Sequence, residues 1–304
     1  MPQSLLKTLL AREASRLVHY LPWSSREAIL DSLIDRLGPA TVLRRYHVES
    51  LTVSGANGRI TGSIDDRVVL GKYMRSGKWA WRMLDVFKEL FTGEGGGTYL
   101  DIGANIGLTL VPIARLPGMQ SVGFEPEPRN FSHLARNVTE NCPGCDVRIE
   151  RIALGNTDGL ATLSLSPDNF GDHRLEPGPH GRSVEQVQVR RLDQMGLSMR
   201  VPLAAKIDTQ GAEPLVIEGG YEVLKSAELL SLEFTPFAMS RLGVDADIIL
   251  SFLAKNFREA AITRGDSEDE LIFEPVSVAT ERLHSINRTR DRKTGYYFDV
   301  MARK

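Results

Sequence analysis

No run of apolar residues in this 304-residue sequence approaches the roughly 18 needed to span a bilayer. The opening stretch is interrupted by Lys7, Arg12, Glu13 and Arg16, so it does not read as a signal peptide, and a cytoplasmic protein is expected. A basic excess is also missing: 37 Lys and Arg face 39 Asp and Glu, for a net charge of −2. General nucleic-acid binding is therefore disfavoured. Cysteine is scarce. The two present, Cys142 and Cys145, form C-P-G-C after a helical segment, with no second pair to complete a zinc site. They read as reduced loop cysteines, not as a redox centre. There is no Asn/Asp-Pro-Pro-aromatic segment, no trio of acids suited to a divalent metal and no internal repeat. No metal is expected.

What remains is an ordinary globular composition, long enough for one large domain with an appendage. Residues 1–92 read as a helical and hairpin appendage, and residues 93–304 as the main domain. In the appendage, Leu5, Leu6, Leu9, Leu10, Leu17 and Leu21 recur at helical spacing. Ser24 and Glu27 form a capping-box pattern before a second apolar face that ends at Gly38-Pro39. Such faces suit packing on the main domain or on a second copy of the chain. A hairpin is expected over residues 50–64, turning at Asn57-Gly58. Residues 78–91 look helical. Their aromatics, Trp79 and Trp81 among them, suit a core, with Trp79 also able to face a cleft. The glycines from Gly93 to Gly97 read as a flexible joint.

From there strands alternate with helices: strands at 98–102, 121–125, 146–154, 203–208 and 229–234, and a closing pair at 260–263 and 296–301. A hairpin-like pair, 160–165 and 184–189, flanks a loop rich in Pro and Gly. This alternation implies a doubly wound α/β fold, a mostly parallel sheet covered by helices on both faces.

The sharpest chemical signal is Asp101-Ile-Gly103-Ala-Asn105-Ile-Gly107, after a strand and before a helical stretch. Gly103 and Gly107 allow a tight turn and close approach of a ligand. The loop is similar to a dinucleotide loop, but Asn105 stands where the glycine admitting a pyrophosphate would be. Asp101 would repel a pyrophosphate and suits a cationic ligand bearing an amino group. S-adenosylmethionine carries both a sulfonium and an ammonium. Glu125 ends the next strand, at the spacing at which an acid commonly binds ribose hydroxyls. Alone, it does not separate NAD from S-adenosylmethionine.

The sequence resembles the FkbM family of methyltransferases over roughly residues 60–304. The resemblance lies in YLDIGANIGL (99–108), GFEPEPRNF (123–131), Ala153-Leu154-Gly155 and KIDTQGAE (206–213). Members of the family usually carry a carboxylate or a small residue where Gln210 stands. The resemblance implies a Rossmann-like, class I methyltransferase sheet of seven strands in the order 3-2-1-4-5-7-6, with strand 7 antiparallel. It implies S-adenosyl-L-methionine as cofactor, with Asp101, Gly103, Asn105, Gly107, Glu125, Ala153 and Asp208 as binding residues. It also implies O-methylation of a hydroxyl on a sugar, glycan or related natural product.

An alcohol is a poor nucleophile until its proton has a destination. Asp208, Glu213 and His173 are the candidate bases, and Lys206 is expected to pair with one of the acids. His173, in a polar cluster at residues 169–174, has the ordinary proton affinity best matched to neutral pH. A basic run at Arg288, Arg290, Arg292 and Lys293 reads as a solvated loop, with phosphate binding as the alternative. Two competing functions remain: an NAD-dependent sugar oxidoreductase or epimerase, and a non-catalytic scaffold that retains the fold.

Overall fold

The structure, a computed structural model, describes residues 47–175, 183–265, 270–288 and 297–304. The two expected N-terminal helices lie outside these residues, as do Arg290, Arg292 and Lys293 of the basic run. Among the described residues no helix is long and apolar enough to cross a membrane.

The main sheet is built from β3 (Gly97–Ile102), β4 (Met119–Phe124), β5 (Asp146–Glu150), β9 (Leu203–Ile207), β10 (Leu229–Phe234), β11 (Glu259–Arg264), β12 (Glu274–Pro275) and β13 (Phe298–Arg303). Their spatial order is β12-β11-β13-β10-β9-β3-β4-β5. This is the expected seven-stranded order with the two-residue β12 added at one edge. β13 runs antiparallel to both β10 and β11, and the strands from β10 to β5 are parallel.

Burial on both faces explains the continuous apolar runs of the central strands. On one face Leu100, Ile102, Val122, Phe124, Ala205 and Ile207 pack with Val216 and Ile217 of α5 (Glu213–Gly219), Ile249 and Leu253 of α8 (Asp247–Asn256) and Leu283 of α9 (Val276–Arg288). On the other, Tyr99, Ala204 and Met301 meet Phe87 and Phe91 of α2 (Trp81–Glu94), Leu110 and Ile113 of α3 (Leu110–Ala114) and Leu134 of α4 (Pro128–Asn141). Tyr99 and Leu100 thus face opposite layers, as the two-residue period of a strand requires.

Three local expectations are corrected. The hairpin of β1 (Ser50–Gly55) and β2 (Gly58–Ser63) pairs Gly55 with Gly58, so the turn is Ala56-Asn57, one residue earlier than expected. The expected strand 146–154 breaks after Glu150. Its end, β6 (Ala153–Leu154), joins a separate sheet of order β6-β8-β7 with β7 (Gly159–Ser164) and β8 (Val184–Arg190). The expected glycine joint is divided: Gly93 lies inside α2 and, like Gly95, faces open space, whereas a Cβ on Gly96 would lie 2.4 Å from the Gly118 carbonyl oxygen.

Asparagine side chains fasten the hairpin to the sheet layers. Asn137 of α4 accepts from Thr61 N–H (2.7 Å), donates to Thr61 C=O (2.8 Å) and donates to Ile106 C=O (2.8 Å). Asn141 makes the same two-way pairing with Arg59, both bonds 2.8 Å. Each amide satisfies one backbone donor and one acceptor, as a neighbouring strand would.

Candidate functional site

A cleft of about 850 Å³, open to solvent, lies at the carboxyl ends of β3, β4 and β9. This is where the strand order reverses and where open α/β sheets bind ligands. Its walls include Gly103, Asn105, Glu125, Ala153, His173, Lys206 and Asp208. Of the nine residues singled out in the sequence, six therefore meet in one place. Asp101, Gly107 and Glu213 do not line it, each for an identifiable reason.

Asp101 lies fully buried beneath the loop. Its Oδ2 accepts from the Thr109 hydroxyl at 2.5 Å, and its Oδ1 pairs with Lys206 Nζ at 3.3 Å. The expectation that Asp101 offers its charge to a cationic ligand is corrected: Lys206 already occupies it. Burial raises the Asp101 carboxyl, with Lys206 and Thr109 pulling the other way. Lys206 also donates to Gly103 C=O at 3.1 Å and pairs with Asp208 Oδ2 at 3.5 Å. Burial opposes its charge, but the two aspartates outweigh burial and hold Lys206 above the usual lysine range.

Gly103 has φ +83, and a Cβ there would sit 1.9 Å from Asp208 O. Only glycine allows β3 and β9 to close together at the cleft floor. Gly107, at φ +90, packs instead on Leu134, where it turns the chain into α3. Asn105 takes the left-handed conformation (φ 50) that asparagine tolerates better than most residues. Its Nδ2 donates to Phe170 C=O at 2.8 Å, and its Oδ1 accepts from Ile106 N–H. Asn130 also donates to Phe170 C=O, at 3.0 Å. The segment around Phe170, which the sequence did not mark as a wall, is thereby tied to the glycine loop and to α4.

Glu125 follows β4 at the cleft. One carboxylate oxygen accepts from Asn105 N–H and the other from Glu127 N–H, both at 2.9 Å. Burial pushes its carboxyl up to about 8, against the pull of those two backbone donors.

Of the two acids among the candidate bases, Asp208 is the accessible one, with its side chain 39% exposed. Gln210 Nε2 donates to Asp208 Oδ1 (2.8 Å) and to Glu233 Oε2 (2.9 Å). Because Ile207 pairs with Leu232, these two acids leave neighbouring strands side by side. The Gln210 amide separates them by donating to each. Burial, then Asp208, Glu213 and Asp299, drive Glu233 well above the usual carboxyl range.

Glu213 is fully buried and holds its own turn: it accepts from Thr209 N–H (2.8 Å), the Thr209 hydroxyl (3.1 Å) and Gly211 N–H (3.0 Å). Burial moves it up to about 7. In this structure Glu213 is an acceptor for backbone donors and does not reach the cleft.

His173 lines the cleft, but Ser166 N–H donates to its Nδ1 at 3.0 Å. An acceptor at Nδ1 puts the proton of the neutral ring on Nε2. In this tautomer the ring offers a donor, which is at odds with proton removal.

A Tyr-x-x-x-Lys spacing, the mark of one class of oxidoreductases, occurs at Tyr221 and Lys225. Both stand outside the walls of the cleft, and Lys225 pairs with Glu222 at 2.6 Å. The pair lends no support to nicotinamide chemistry here.

Comparison with known proteins gives the family. The methyltransferase FkbM domain matches residues 101–260, more than half of the chain. The methyltransferase sdnD of Sordaria araneosa is 27% identical over 134 residues, which span 41% of this chain and 51% of that protein. Among solved structures, M. jannaschii TYW2 in complex with AdoMet has a TM-score of 0.43 at 8% identity, covering 84% of this chain and 85% of that one. Magnesium protoporphyrin IX methyltransferase (ChlM) from Synechocystis PCC 6803 with bound SAH has a TM-score of 0.41 at 12% identity, covering 78% and 87%. The chain belongs to the FkbM family of methyltransferases, whose methyl donor is S-adenosylmethionine.

Proposed function

We propose that the protein is an O-methyltransferase acting on a hydroxyl of a sugar, glycan or related natural product. The observation that carries this reading is Asp208: an accessible carboxylate at the cleft floor, fixed by Lys206 and Gln210 beside the glycine loop. S-adenosylmethionine would supply an electrophilic methyl group. The residues present fit it. Glu125 brings a carboxylate to the wall where ribose hydroxyls would donate, and Phe124, Ile152 and Ala153 give that end an apolar lining for a base. Gly103 and Asn105 line the wall toward β9 and would hold the amino-acid end.

In this reading Asp208 orients the acceptor hydroxyl and takes its proton. Its Oδ1 and Oδ2 already receive Gln210 and Lys206, so the carboxylate is held in one orientation before substrate arrives. Preorganisation of that kind removes entropy from the barrier. His173 contributes a hydrogen bond from Nε2 and moves no proton. The metal-free chemistry expected from the sequence goes with this assignment, as do a cytoplasmic setting and a small-molecule or glycan acceptor. Assembly through the N-terminal helices belongs to the same proposal.

The test is transfer of labelled methyl from S-adenosylmethionine to a panel of glycosides, polyols, amines and thiols, with and without EDTA. Labelled methyl ethers, unaffected by EDTA, support the reading. Methylation confined to nitrogen or sulfur acceptors, or lost on chelation, refutes it.

A further inference from the structure

We propose that Trp79 is the platform on which the acceptor lies, and that the acceptor presents a ring with a C–H face, of which a pyranose is the fitting class. This rests on the reading of the cleft as a site that methylates hydroxyls.

Trp79 lines the cleft from the segment joining α1 (Val69–Ser76) to α2. It is half-buried, unlike Phe87 and Phe91, the aromatics of the following helix, which are closed off in the core. Its main chain is clamped by one side chain. Asn57, only 2% exposed, accepts from Trp79 N–H at 3.0 Å and donates to Trp79 C=O at 2.9 Å. The same amide donates to Leu108 C=O at 2.8 Å, at the end of the glycine loop. The position of the indole is thereby referenced to the loop that would hold the cofactor.

The next residue reinforces this. Ala80 has φ 46, in the left-handed region that a residue with a Cβ seldom enters. Such strain persists where the surroundings over-determine it, and it gathers at functional sites. The turn at Ala80 starts α2 and leaves Trp79 outside the helix, at the cleft. Lys72 Nζ lies 5.4 Å from the indole centroid, so a cation rests on one face of the ring. A core packing role needs none of these devices.

The adenosine end is accounted for by other residues: Glu125 and Pro126 after β4, and Ile152 to Leu154 after β5. Trp79 enters from the hairpin side together with Val69 and Leu108. A rigid aromatic plane with apolar neighbours and a few polar groups suits a ring that is apolar on its face and polar at its edge. An open-chain polyol has hydroxyls all round and no such face.

The experiment uses the full chain, wild type and the variants Trp79→Ala and Trp79→Phe. Affinity for S-adenosylhomocysteine is measured by calorimetry. KM and kcat are measured for methyl transfer to methyl pyranosides, with sorbitol and mannitol as open-chain comparators. Wild type is expected to methylate pyranosides in preference to the alditols. Trp79→Ala should raise acceptor KM about tenfold or more, with a smaller change in kcat and in S-adenosylhomocysteine affinity. Trp79→Phe, which keeps a flat face, should restore most of the loss. The proposal is overturned by an unchanged KM in both variants, by loss of S-adenosylhomocysteine affinity in Trp79→Phe, or by alditols serving as well as rings. It also falls if wild type binds S-adenosylhomocysteine yet methylates no ring. Wild type that fails to bind S-adenosylhomocysteine would instead sink the methyltransferase reading itself.

Discussion

Lys206 pairs with Asp101 at 3.3 Å, and the pair is buried under the glycine loop instead of open to a ligand. The loop therefore rests on an ion pair between adjacent strands. Removing Lys206 leaves the fully buried Asp101 carboxylate without its cation. Lys206→Met should destabilise the protein by about 3–5 kcal/mol. Adding Asp101→Asn should recover part of that loss, because the fully buried carboxylate is then neutral and only the partly exposed Asp208 lacks its cation. Urea denaturation of the single and double variants measures both effects; additive losses would show that the pairing does not matter.

Glu125 gives a pH prediction. Its carboxyl is raised from 4.5 to about 8, with burial as the main cause. A group raised in the folded state contributes stability below its unfolded value and loses it as pH rises through the folded one. Wild type should therefore lose stability between about pH 4.5 and 8 through this group. Glu125→Gln should gain on wild type over that window, by up to about 4 kcal/mol. Thermal unfolding at pH 5, 6.5 and 8 checks it; parallel curves would mean that Glu125 is not perturbed.

Gln210 separates Asp208 from Glu233. Gln210→Glu would add a carboxylate to a corner that already holds Asp208, Glu213, Glu233 and Asp299, with Lys206 as the cation facing it. The new acid should be raised in the folded state, so its cost should grow as pH rises. The gap in melting temperature between wild type and variant should be wider at pH 8 than at pH 5. A gap that does not change with pH would argue that the amide is not holding the acids apart.

The proposed reading gives Asp208 and His173 distinct roles in turnover. Asp208→Asn should lower kcat by about 10²–10⁴, the usual scale of general-base help. His173→Ala should lower kcat less and leave the acidic limb of the pH–rate profile in place. Movement of that limb in His173→Ala would return the proton to the histidine.

The sheet was legible because its signals are local and repeated. Apolar strands such as Thr98–Ile102 can only be buried on both faces, and Gly103 marks the end of one of them. Glu125 and Asp208 were legible for the same reason, each directly following a strand, and Asn105 because it lies in the glycine loop after β3. Pairings across the sheet were not. Asp101 and Lys206 are 105 residues apart, and only the β3–β9 register brings them together. Glu213 looks like a candidate base because it is an acid near the cleft, but its burial depends on how the turn at Thr209 to Gly211 closes over it. The strand at 146–154 was read too long because Arg151 and Ile152 continue its alternation while the chain turns toward a second sheet. Asn137 and Phe170 carry no motif, and Asn57 reads only as a turn residue. Their importance comes from which backbone groups they reach.

Calorimetry with S-adenosylhomocysteine at pH 9, above the value of about 8 to which burial raises Glu125, on wild type and Glu125→Ala, tests the cleft assignment most directly. Glu125 stands where the ribose hydroxyls would donate, and a charge-assisted hydrogen bond is worth about 1.5–3 kcal/mol. Wild type should bind, and Glu125→Ala, still folded, should bind at least about tenfold more weakly. Equal affinity in the two proteins, or binding of NAD with none of S-adenosylhomocysteine, would contradict it.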